Sequence, residues 1–117
     1  TLVADLEVQG VPVFDRIDVL SLEEHEDRLA EGKRALAEAP AGGLTNILHH
    51  MSADTPELRA IAPDWRCRVA DWKLFTSEAW REAVTESGVT VIGFRVLRDL
   101  MRAERVAQRE HLNGLAT

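Results

Sequence analysis

Apolar and polar positions along the chain alternate between two periods. Residues 11–14, Val-Pro-Val-Phe, form a short apolar run after Gly10, and Pro12 assigns it to an edge or entry strand, because proline gives no N–H to a ladder. Ser21-Leu22-Glu23-Glu24 matches a capping box, and Leu22, Leu29 and Leu36 with Ala30 and Ala37 mark one stripe at helical spacing. A helix is predicted over roughly 22 to 38, ended by Pro40 and Gly42-Gly43. Residues 44–50, Leu-Thr-Asn-Ile-Leu-His-His, read as a buried strand.

Thr55-Pro56-Glu57 carries a cap, a proline at the first helical position and an acid near the positive helix end, with Leu58 and Ile61 expected to face inward. Trp65, Val69 and Trp72 recur at helical spacing from Asp64 to about Phe75. Thr76 or Ser77 can cap a further helix with Trp80, Ala83 and Val84 inside and Gly88 as its left-handed end. Residues 89–94, Val-Thr-Val-Ile-Gly-Phe, make the most strand-like run of the chain, ended by Arg95. Val96, Leu97, Leu100, Met101 and Val106 mark a last helix, punctuated by Asn113-Gly114.

Three strands alternating with helices predict an α/β layer structure with parallel crossovers. A closed (β/α) barrel needs about eight such units, so the chain can supply only the last portion of one. The first residue is Thr1, and Leu2 to Leu6 reads as the middle of an element. Residues 1–117 are therefore expected to be a single partial domain.

Composition narrows the chemistry. A formal net charge of −6 gives the whole chain no basic footprint for nucleic acid or an anionic membrane. One cysteine, Cys67, can form neither an internal disulfide nor a thiolate metal cage. With no signal peptide or apolar run of membrane length in view, a cytoplasmic setting is expected.

In parallel α/β architectures ligands meet the C-terminal strand ends, and His49, His50 and Asp54 lie at one such end. Adjacent strand residues point to opposite faces, so one of the two histidines faces a site and the other a covering helix. His25 and His111 fall on charged helical faces. Trp65, Trp72 and Trp80 are expected to pack in the core, with a sugar-stacking platform as the other reading. Cys67 is expected to be an unreactive thiol despite Arg66 and Arg68 beside it. The charges along 98 to 110 read as a solvated helix face.

The stretch Gly43 to His50, followed by Asp54-Thr55-Pro56-Glu57-Leu58-Arg59 and Asp64-Trp65-Arg66, resembles the C-terminal region of YdjC-like (ChbG/HpnK-type) carbohydrate deacetylases. Arg68-Val69-Ala70-Asp71, Phe75-Thr76-Ser77, residues 88–95 and Leu97-Arg98 fit the same pattern, so the resemblance covers about residues 10 to 102. It implies a distorted (β/α) barrel that cleaves an N-acetyl group from an amino sugar or oligosaccharide with a divalent metal, Mg or Zn. The family's metal ligands sit on N-terminal motifs outside this chain, so no metal ligand is expected here. His50 falls on the histidine of the family's His-Pro-Gly motif and is the expected catalytic residue, although Met51-Ser52 follow it in this chain. The other expectation is a non-catalytic relative that binds a partner or forms a homo-oligomer through an exposed sheet edge.

Overall fold

The structure, a computed structural model, describes residues 1–23 and 26–115. Helices and strands mix in the order α1 (Leu2–Val8), β1 (Arg16–Val19), α2 (Arg28–Ala37), β2 (Thr45–Leu48), α3 (Pro56–Ile61), α4 (Trp65–Phe75), α5 (Glu78–Ser87) and α6 (Phe94–Leu115). Two compact units share them: residues 14–89 form one, and residues 1–13 with 90–117 the other.

In the first unit β1 and β2 pair in parallel, Arg16 opposite Thr45 and Val19 opposite Leu48, with α2 as the crossover between them. The chain is therefore α/β, with two parallel strands among the described residues where three were expected. Helices α2, α4 and α5 pack on one another, and Leu20, Ala35, Leu36, Cys67, Val69, Leu74 and Ala83 are the buried apolar residues. In the second unit α1 lies beside α6: the Glu104 side chain fills the space next to Gly10, and the Gln108 amide donates to the Val8 carbonyl at 3.5 Å.

Several helix ends follow the residues that predict them. Thr55 Oγ1 accepts the Leu58 N–H (3.1 Å) with Pro56 in the first turn, Ser77 Oγ accepts the Trp80 N–H (3.1 Å), and Gly88 ends α5 at φ 72°. At such a left-handed position a side chain would be strained.

Elsewhere tertiary pairing overrides the local pattern. Residues 11–14 form no strand. Pairing begins at Arg16, after the Asp15 carboxylate has accepted the Leu44 N–H at 2.6 Å. Helix α2 starts at Arg28 rather than near 22, because Asp27 supplies the cap, accepting the Ala30 N–H at 3.2 Å. Ser21 Oγ instead accepts the Glu23 N–H (3.1 Å), and the expected partner Glu24 lies outside the described residues, as does His25.

The buried stripe of α2 is Arg28, Gly32, Ala35 and Leu36, so Ala30 and Ala37 are exposed. Ile61, expected to face inward, is 81% exposed, since α3 ends there after six residues. Trp72 is exposed too, whereas Trp80 is half-buried, edge-on to Phe75 with ring centroids 5.0 Å apart.

The largest departure is at 89–94, which forms no strand; Val91 is 76% exposed. A β-branched run becomes a strand only where a sheet edge pairs with it, and this run has none among the described residues. Phe94 opens α6, so Arg95 sits in a helix rather than at a strand end, and α6 runs through Asn113 and Gly114 to Leu115.

Gly32 lies where α2 packs against Trp80 of α5. A Cβ there would lie 2.6 Å from Trp80 Cζ3 and 3.4 Å from Leu74 Cδ2. Alanine for glycine in a helix is worth about 1 kcal/mol in propensity, but overpacking costs about 1 to 3 kcal/mol. The Trp80 ring, already set against Phe75, has little room to yield. Gly32→Ala is expected to lower the thermal unfolding midpoint, read by circular dichroism.

Candidate functional site

The C-terminal ends of β1 and β2 are fastened by one buried network of charges. Asp71, in the middle of α4, is 1% exposed, and its Oδ2 accepts the backbone N–H of His50 at 2.9 Å. Its Oδ1 lies 3.0 Å from Nε of Arg28, itself buried in the first turn of α2. That contact is an ion pair without a well-aligned hydrogen bond.

The same guanidinium donates to the Ser21 carbonyl just beyond β1 and pairs with Glu31, whose Oε1 accepts the Ser21 N–H at 2.7 Å. Both backbone groups of Ser21 and the backbone N–H of His50 are thus satisfied by side chains of α2 and α4. Such satisfaction is what allows polar groups to be buried at a sheet end.

His49 and His50 follow β2 directly. The His49 ring lies against Phe75 of α4, with centroids 4.2 Å apart, so it faces the covering helices as strand alternation expects. His50 is half-buried, its main chain held by Asp71, and its Nδ1 is buried with no hydrogen-bond partner. An imidazole placed this way has a fixed backbone and a ring nitrogen without a protein partner.

Asp64, at the start of α4, is the acid that senses His50. Its carboxyl is held below the usual carboxylate range first by the hydrogen bond from Arg68 (2.9 Å), against the opposing effect of burial, with the charge of His50 adding to the depression. The loop after His50 is tied to the same helix by the Ser52 N–H, which donates to the Arg68 carbonyl at 3.2 Å.

Asp54 orients no imidazole. It forms a two-pronged pair with Arg59, both contacts at 2.7 Å, and this pair holds its carboxyl low. The helix that follows is capped by Thr55.

Trp65 carries the guanidinium carbons of Arg59 and Arg66 over its ring, each 4.5 Å from the centroid. This half-exposed stack fits neither the core nor the sugar-platform reading. Burial pushes the Cys67 thiol up, and a thiol held protonated is a poor nucleophile. Among the described residues no three His, Cys, Asp or Glu side chains come together as a metal shell.

Arg28 and Asp71 are the positions of this network that periodicity passed over. The signal was present: Asp71 shares its helical face with Cys67 and Leu74, and Arg28 with Gly32 and Ala35, so each is a lone charge in an apolar stripe. Compared with known protein families, curated proteins and solved structures, the chain matches none.

Removing one partner of a buried pair leaves an uncompensated charge, at about 3 to 5 kcal/mol, whereas replacing both with apolar groups is often nearly neutral. Asp71→Ala is expected to destabilise the fold by that amount in urea unfolding. The double variant Arg28→Met with Asp71→Leu is expected to recover much of the loss while leaving the His50 N–H without its acceptor.

Proposed function

We propose that this chain forms the C-terminal part of a carbohydrate deacetylase barrel and that His50 serves it as a general acid, in the hydrolysis of an N-acetyl group from an amino sugar. The observation that carries the reading is the position of His50, beyond the C-terminal end of a parallel strand with its backbone N–H held by a buried carboxylate. That is the strand end at which parallel α/β proteins place ligands. The resemblance of residues 43–59 to the YdjC-like family supplies the substrate class. Among the described residues each strand has one neighbour, and a larger barrel sheet would use such open edges.

A protonated imidazole can hand its proton to a leaving nitrogen. In amide hydrolysis water adds to the acetyl carbonyl, the C–N bond breaks, and the leaving nitrogen takes a proton as acetate forms. Protonated His50 is the donor for that nitrogen. The family's divalent metal finds no shell of ligands among the described residues, so no step is routed through it on this chain.

No helix among the described residues is long and apolar enough to cross a membrane; a cytoplasmic setting is part of the proposal.

A second reading, a non-catalytic interaction domain, is favoured by a different observation. Ile17, Val19 and Leu48 are exposed on one side of the sheet, while Asp18 and Leu20 are buried.

Acetate release from N-acetylated chitooligosaccharides by the full gene product tests the first reading. His50→Ala is expected to cut turnover by at least about 100-fold, the size usual for a general acid, with circular dichroism unchanged. Unaltered turnover in the variant removes His50 from the reaction, and no release by the wild-type protein favours the interaction domain.

A further inference from the structure

All five arginines of α6, Arg95, Arg98, Arg102, Arg105 and Arg109, recur at spacings of three and four residues. At 100° per residue they occupy an arc of about 80° and form one row about 21 Å long. All five are exposed. Arg98 pairs with its neighbour Asp99, while Arg102, Arg105 and Arg109 have no acidic partner among the described residues.

A matching row of opposite sign runs along α5. Glu78, Glu82 and Glu86 are each exposed, and at spacings of four they cover about 12 Å of one face, about 100° around the helix from Ala83. Of the three, Glu78 pairs with Arg81, while Glu82 and Glu86 have no basic partner among the described residues. Like charges three and four apart on a helix repel, so each unpaired row weakens its own helix until an opposite row meets it.

We propose that this chain self-associates by laying the arginine row of α6 in one copy along the glutamate row of α5 in a second copy. Arg102, Arg105 and Arg109 span about 10 Å, close to the about 12 Å of the glutamates, so three pairs form along each contact.

A second copy fits the arginines better than a long polyanion does. Of the 14 Lys and Arg and 20 Asp and Glu in the chain, five arginines and three acids lie in α6. The remainder therefore carries nine cations against seventeen acids, which attracts the arginine row of another copy and repels a nucleic acid or anionic polysaccharide. The proposal is independent of the deacetylase reading, since neither row contains His50.

Sedimentation velocity of the intact chain tests it. The wild type is expected to dimerise reversibly at low ionic strength, with the dissociation constant rising at least about tenfold in about 0.5 M salt, where exposed charges are screened. Arg102→Glu with Arg105→Glu, and separately Glu82→Arg with Glu86→Arg, are each expected to sediment as monomers of unchanged helicity. An equimolar mixture of the two variants then restores the dimer, because every contact again joins opposite charges. A monomeric wild type, charge-reversed variants that still dimerise alone, or a mixture that stays monomeric overturns the proposal. So does wild-type protein that binds heparin or duplex DNA without dimerising.

Discussion

The fold of residues 14–89 turns on the buried pair between Arg28 and Asp71. Two strands of four residues each are too little sheet to hold their own ends. The pair supplies that hold from the helices, because Arg28 takes the chain leaving β1 and Asp71 takes the chain leaving β2. Two charges inside a small core are tolerable because most of their polar groups are used: Glu31 and the Ser21 carbonyl on the guanidinium, the His50 N–H on the carboxylate, with Arg28 Nε and Asp71 Oδ1 held by their mutual ion pair alone.

One consequence is the geometry at His50. Its backbone is fixed by the same carboxylate that neutralises Arg28, so the position of the imidazole is coupled to the packing of α2 on α4. His49, one residue earlier, is committed to Phe75 and through it to Trp80. Strand alternation and the two contacts together separate the roles of the two histidines, one packed on the helical layer and one presented at the sheet end.

What could be read from the residues alone was mostly local. Thr55 before Pro56, Ser77 before Glu78 and Gly88 after Ser87 are helix punctuation whose physics lies within a few residues, and the structure keeps each of them. Strand β2 was legible as an element because its apolar run lies between glycines and a turn, although it is half-buried with Leu48 exposed rather than buried as expected. Strand β1 was not, because Arg16 and Asp18 occupy the side where apolar residues are expected and Ile17 and Val19 the exposed side, an inverted pattern made possible by ion pairs with Glu38 and Arg34. Residues 89–94 mislead in the opposite direction, since their side chains suit a strand while no edge among the described residues pairs with them. His50 could be picked out by its place at a strand end. The charges that hold it could not, as Arg28 and Asp71 are 43 residues apart and meet only after α2 and α4 pack.

Amide hydrogen exchange at His50 measures this constraint most directly. Its N–H lies outside the β1–β2 ladder and is protected only by the Asp71 carboxylate. The account predicts exchange as slow as that of the buried core amides of α4, governed by unfolding of the whole unit. Exchange at the rate of an open loop amide, with the α4 core still protected, would contradict it.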